Sequence, residues 1–354
     1  MTASAIPLRL HDISRRLQSD KDLVRLDLRG LNVGLNGVVT LSAALRQNSH
    51  LRALNLSYNL IPSEGAVLIV KSIPKTVETL DLRDNGVGND GATAIGDYLS
   101  EQSESILCLN NLLLRNNCIG ARGAAHLAQS LQFNHSLQRL DLGSNLIGNH
   151  GAEAVGILLS TNKSLQWLSL WNNNIDSRGV HFIAEGVAAN SSLEVLLMGA
   201  NDIGDSGAMD LAHALRKNTS LKRLNIGSGH IGSRGGVALA GMLKVNDVLH
   251  VVDLFHNPIG LGGAFAFLSI LRSHNRTLRQ LHIDYQRVTN SGEVNEAIAI
   301  YLGLNRVGRS QLKDVKLCWS LWPTILEKLS RSPQLMYLVL AEKPEIVKDV
   351  KSRA

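Results

Sequence analysis

Aromatic residues make up only 4% of this 354-residue chain, and its three cysteines, Cys108, Cys118 and Cys318, are scattered. With so few rings, the core has to be built from Leu, Ile, Val and Ala, and any aromatic on a surface becomes a marked feature. An odd, widely spaced cysteine set gives neither a disulfide framework nor the paired spacing of a zinc site, and it suits a reducing compartment. No apolar run approaches the length of a membrane span. The opening segment, MTASAIPLRLHDISRRLQSDKD, lacks the continuous apolar stretch of a secretory signal. Its Ser, Arg and apolar stripe resemble a mitochondrial presequence, but Asp12 speaks against that, and a capping helix over 1–22 is the expectation.

What is present suits a folded chain: 44% hydrophobic and 19% charged residues, with a net charge of +6. Residues 270–316 hold eight Lys/Arg against four Asp/Glu, which points to an acidic partner near that end. Without a Lys/Arg run or interleaved basic and aromatic residues, a nucleic-acid partner is not expected.

The segments LQRLDLGSNLIGNHGAEAVGILLSTNKS (137–164), LQWLSLWNNNIDSRGVHFIAEGVAANSS (165–192) and LEVLLMGANDIGDSGAMDLAHALRKNTS (193–220) align with a period of 28 residues. Related units begin at Leu23, Leu51, Val77, Leu109, Leu221, Leu249 and Leu278. Apolar residues at unit positions 1, 4 and 6 alternate as in a strand, and those that follow recur three and four apart as in a helix. Successive strands joined by helices run parallel. Strands stack about 4.8 Å apart and helices about 8–10 Å apart, so the array bends with its sheet on the concave side.

Unit position 9 carries Asn59, Asn85, Asn117, Asn145, Asn173, Asn201 and Asn257, where a buried amide can satisfy the turn's backbone groups. Leu31, Gly229 and Gln286 break the series. Position 15 is glycine in all ten units, from Gly37 to Gly292, which is expected to bring each helix start close to its neighbour. The glycine-rich GLGG at 260–263 belongs to this series. Five Asn-x-Ser/Thr triplets, at Asn134, Asn162, Asn190, Asn218 and Asn275, recur because the unit asks for these residues at its end.

The pattern LxxLxLxxNxIGxxGAxxLAxxLxxNxS resembles the ribonuclease-inhibitor-type class of leucine-rich repeats from residue 23 to about 311. The resemblance implies an α/β fold, a leucine-rich-repeat solenoid or horseshoe, with a parallel β-sheet on the concave face and α-helices on the convex face. Residues 312–340 read as a degenerate repeat and cap, and 341–354 as a charged tail. Ribonuclease inhibitors themselves are acidic and cysteine-rich, unlike this chain. The Ran GTPase activator, another member, ends in an acidic tail where this chain has AEKPEIVKDVKSRA. No phosphate-binding GxxxxGK[ST] and no Ser- or Cys-based catalytic constellation is present, so no enzyme, cofactor or small-molecule substrate is expected.

Strand positions 3, 5 and 7 face the groove and position 8 its rim. The first five units place there Arg25, Asp27, Arg29, Asn55, Asp81, Arg83, Arg115, Arg139 and Asp141; Arg29, Arg83 and Arg115 share position 7. Trp167, Trp171, Val195 and Leu197, with Leu113 nearby, read as an exposed apolar patch, and such patches mark interfaces. Asp253, Phe255, His256, His282, Asp284 and Tyr285 form a polar rim in which a metal site is the weaker alternative. The expected function is a protein-interaction scaffold whose partner lies in the groove, in the cytoplasm, with the cytoskeleton or a cilium as alternative sites. A GTPase activator or a structural subunit of a large assembly stands as the alternative.

Overall fold

The computed structural model describes residues 5–101, 108–284 and 291–306, together with Glu327 and Met336. The expected cap over 312–340 and the charged tail lie outside the described residues. Helix α1 (Ala5–Ser19) is followed by β1 (Arg25–Asp27), α2 (Gly34–Gln47), β2 (Ala53–Asn55), α3 (Ser63–Val70), β3 (Thr79–Asp81) and α4 (Gly88–Glu101). Then come β4 (Asn111–Leu113), α5 (Ala121–Leu131), β5 (Arg139–Asp141), α6 (Gly148–Thr161), β6 (Trp167–Ser169), α7 (Ser177–Ala189) and β7 (Val195–Leu197). The series closes with α8 (Gly204–Leu215), β8 (Arg223–Asn225), α9 (Ser233–Met242), β9 (Val251–Leu254), α10 (Gly260–Ser273), β10 (Gln280–Ile283) and α11 (Ser291–Arg306).

All ten strands form one open parallel sheet in chain order, and their register repeats the unit positions. Position 4 of each unit stacks on position 4 of the next, as Leu140 on Leu168 and Leu168 on Leu196. These leucines and those at positions 1 and 6 make one continuous core with the helix faces. Such an array has only nearest-neighbour contacts, so each unit is held by the units before and after it. At the start of the chain, α1 lies on α2: Leu10 and Leu17 are buried, and Asn48 Nδ2 donates to Leu17 O at 2.7 Å.

Two ladders of buried asparagine run along the array. In the first, Asn145 Nδ2 donates to Leu114 O, Leu142 O and Gly143 O, while its Oδ1 accepts from Asn117 N and Ile119 N. The same pattern runs through Asn59, Asn85, Asn117, Asn173, Asn201 and Asn257, with Ile203 Cδ1 packing against the gap at Gly229. The second ladder contains the triplet asparagines together with Asn48 and Asn246. Asn162 Nδ2 donates to Leu131 O and Asn134 O, and its Oδ1 accepts from Ser164 N and Leu165 N. Asn134, Asn190, Asn218 and Asn275 repeat this arrangement, and all are buried, so their amides are committed to the fold.

The 28-residue unit is half of a structural pair. Helices α2, α4, α6, α8 and α10 begin at Gly34, Gly88, Gly148, Gly204 and Gly260, whose φ values of +53° to +62° favour glycine. Helices α3, α5, α7 and α9 instead start after an extended residue: Pro62, Gly120, Asp176 or Gly232. A side chain from the preceding unit satisfies the backbone there. Asn89 Oδ1 accepts from Gly120 N and Gly123 N, Asn149 Oδ1 from Asp176 N, and Asp205 Oδ1 from Gly232 N and Gly235 N. Leu35 holds the corresponding place before α3, where Pro62 has no N–H to satisfy. The position-15 glycines are needed for these close approaches: a Cβ on Gly123 would lie 2.9 Å from Asn89 Cα. A Cβ on Gly292 would meet nothing within 4 Å among the described residues, so that reason is not seen in the tenth unit.

Candidate functional site

On the concave face, position 5 does more than present charge. Asp27 Oδ1 accepts from Arg29 N, Asn55 from Ser57 N, Asp81 from Arg83 N, Asp141 from Gly143 N, Asn225 from Gly227 N and Asp253 from Phe255 N. Each carboxylate or amide closes an Asx turn over the position-7 N–H of its own unit. Four units lack this cap because position 5 is Leu113, Ser169, Leu197 or, in the last, His282. Among the described residues, the N–H groups of Arg115, Trp171 and Gly199 find no acceptor.

The same stretch holds the two groove tryptophans. Register sets Arg139 beside Trp167 and Trp167 beside Val195, and it sets Ser169 between Asp141 and Leu197. The Arg139 guanidinium carbon lies 3.8 Å from the centre of the Trp167 ring system. That of Arg115 lies 5.9 Å from the centre of the Trp171 ring system, reaching past β5, where Gly143 offers no side chain to block it. Both contacts have cation–π geometry.

The bare apolar patch expected from sequence is therefore corrected. Trp167 and Trp171 are half-buried, as are Leu113, Val195 and Leu197, and the arginines of the preceding units lie on the indole faces. The groove does not change from charged to aromatic midway, because the two chemistries interlock. Neither Arg115 nor Arg139 makes an ion pair among the described residues, and both are exposed.

The other predicted residues divide sharply. Arg83 is closed onto Asp81, with Nη2 at 2.6 Å from Oδ2 and Nε at 2.9 Å from Oδ1, and this bond raises the guanidinium pKa above its ordinary value. Arg29 is not paired in this way and lies over the Tyr58 ring at 4.8 Å. Tyr58, at rim position 8, was not singled out from sequence.

Toward the far end, His256 pairs with Asp284 at 3.3 Å and His282 with Asp253 at 3.5 Å, while Asn225 Nδ2 donates to Asp253 at 3.0 Å. Phe255 is 47% exposed, with its ring centre 4.0 Å from that of His256. These are two separate pairs, and among the described residues no three His, Cys, Asp or Glu side chains converge as a metal site would require. Tyr285 lies outside the described residues.

Gly143 and the three open amides escaped sequence reasoning about side chains. The signal was nonetheless present, in the Leu113, Ser169 and Leu197 that stand where most units have Asp or Asn.

A family model described as a leucine-rich repeat matches residues 47–70, 74–96, 133–156, 189–212, 217–240 and 245–268. Over these six segments the chain carries leucine-rich repeats, in agreement with the parallel strand–helix array. Among solved structures it is similar to the leiomodin-1 actin-binding site 2, at 17% identity and a TM-score of 0.40, over 46% of this chain and 91% of that one. The tropomodulin C-terminal domain of Caenorhabditis elegans matches at 17% identity and a TM-score of 0.40, over 46% of this chain and 99% of that one. TLR13 in its complex with ssRNA13 matches at 18% identity and a TM-score of 0.44, over 77% of this chain and 33% of that one.

Proposed function

We propose that the protein is an interaction scaffold that holds a partner protein in its concave groove, anchored on Trp167 and Trp171. The observation that carries this reading is the pair of tryptophan–arginine contacts on the open face of the sheet. Among the described residues no helix covers that face, and Trp and Arg are the residues that most often carry interface energy. Leu113, Val195 and Leu197 add apolar area around them, so a partner would bury rings, aliphatic side chains and guanidinium groups together. A solenoid suits this work because its curvature presents a long surface. No helix among the described residues is long and apolar enough to cross a membrane. We place the protein in the cytoplasm, free or attached to the cytoskeleton or a cilium, which fractionation of its cells would test.

The deciding experiment is affinity capture from a lysate of the source cells with wild type and with Trp167→Ala/Trp171→Ala. Circular dichroism establishes that both are folded. Proteins retained by wild type should be absent from the variant. An unchanged set of captured proteins would remove the groove from the account.

A further inference from the structure

We infer that the partner element seated in the groove is an acidic, extended peptide segment with two carboxylates four residues apart. This assignment rests on the groove being the binding face, and it follows from three observations that do not depend on one another.

The first is the state of the two guanidinium groups. Arg83 lies in a comparable outward position and is consumed by Asp81, and Arg52, Lys222 and Arg178 are likewise paired with Glu78, Glu194 and Asp176. Among the described residues Arg115 and Arg139 have no such carboxylate and lie on rings instead. A guanidinium lying on an indole face keeps its N–H edge free, and that fork matches a carboxylate with two parallel hydrogen bonds.

The second observation is the row of open backbone donors. Trp171 N and Gly199 N lie on adjacent units and Arg115 N two units before Trp171, all at the same groove position and without the Asx cap present in six other units, among them the intervening fifth. Together with the two guanidiniums they make the centre of the groove rich in donors and poor in acceptors. An occupant made of carboxylates and peptide carbonyls supplies the missing half.

The third is spacing. Trp167 and Trp171 are four residues apart on one extended segment, about 13 Å at the rise of a strand. A second extended chain lying along that direction would present residues i and i+4 to the two arginines, with its intervening side chains against Val195 and Leu197. Asp141 stands between the two cations in the position-5 column. A fixed negative charge there opposes a continuous row of phosphates but leaves room for separate carboxylates on either side, so a peptide is favoured over a nucleic acid.

The test uses an array of short synthetic peptides in a Ser/Leu background. They carry two glutamates at i and i+2, i+4 or i+6, with glutamine counterparts and a single-stranded oligouridylate alongside. Whole protein, Arg115→Gln/Arg139→Gln and Trp167→Ala/Trp171→Ala are applied at low salt. The i, i+4 glutamate peptides should bind best, ~10-fold or more above their glutamine counterparts, and the arginine variant should lose that margin. Equal binding of glutamate and glutamine peptides, binding of none, preference for the oligonucleotide, or an unaffected arginine variant would each overturn the acidic assignment. If lysate capture still depends on the tryptophans in that event, the groove stands and only the nature of its occupant is wrong. If capture is independent of them, the groove reading itself fails.

Discussion

The third and sixth units have strands in the same register and buried leucines at positions 4 and 6, yet their outward faces differ in kind. In the third, Asp81 accepts from the N–H of Arg83 and also grips its guanidinium, so donor and acceptor, cation and anion, are matched within one strand. In the sixth, Ser169 and Trp171 replace that pair. The amide is left open, and the ring receives an arginine from two strands away. The fold dictates the inward positions of a repeat and leaves the outward ones free. A unit that satisfies itself offers a partner little, because displacing an internal pair costs about what the new contact returns. A unit that leaves donors and cations unmatched keeps that capacity in reserve.

The contrast assumes one frame beneath both surfaces, and the largest expected effect comes from breaking that frame. Asn145 is only 4% exposed and makes five hydrogen bonds that join the fourth and fifth units, which lie between the two surfaces. Asn145→Ala should destabilise the protein by ~3 kcal/mol, because several buried backbone groups lose their partners at once. Urea unfolding measures the loss, and hydrogen exchange locates it. Amides of the third and sixth units should both become less protected. Protection lost in the fifth unit alone would mean that the two surfaces do not share a frame.

A middle-sized effect should separate the two surfaces themselves. Asp81 is 5% exposed and holds three N–H groups of Arg83, so Asp81→Ala is expected to cost ~2 kcal/mol. Ser169→Ala, at the same position in the sixth unit, should cost less than ~0.5 kcal/mol, since its hydroxyl closes no Asx turn. Equal losses from the two substitutions would show that the sixth unit is as self-satisfied as the third, and the distinction between them would collapse.

Much of this architecture could be read in the chain because its signals are periodic. Leucine at positions 1, 4 and 6, asparagine at 9 and glycine at 15 recur often enough to fix strand, turn and helix start. What escaped depended on relations between units. The pairing of Asn89, Asn149 and Asp205 with the next helix start has a period of two units, which alignment of single units conceals. Asp27, Asp81 and Asp141 looked like charge available to a partner, but a one-letter pattern does not show that each carboxylate caps an amide two residues on. Trp167 and Trp171 were visible as anomalies in a chain poor in rings. That arginines from the fourth and fifth units would lie upon them depended on side-chain reach and on the absence of a side chain at Gly143, which are properties of three strands taken together.

The smallest effect belongs to the convex side of the sixth unit, and it decides whether that unit's departure is confined to the groove. Asp176 caps α7: its Oδ1 accepts from Arg178 N at 2.8 Å, and its Oδ2 lies 2.6 Å from Arg178 Nη2. The Arg178 guanidinium holds the Asp176 carboxyl well below the usual carboxylate range. Asp176→Ala should cost ~1 kcal/mol, the ordinary worth of a helix cap, and should leave capture through Trp167 and Trp171 unchanged. Because the folded pKa is depressed, the ionised form is what stabilises the fold. Its contribution is fully present above the unfolded carboxyl value of about 4 and is lost as pH falls toward the folded value. The stability gap between wild type and Asp176→Ala, followed by urea unfolding, should stay constant from neutral pH down to about 5 and narrow below about 4. Asp176→Asn retains an oxygen to accept from Arg178 N but cannot titrate, so its gap to Asp176→Ala should not narrow in acid. If the alanine variant also lost the groove partner, cap and groove would be coupled through the repeat, and the sixth unit would differ from the third throughout its body.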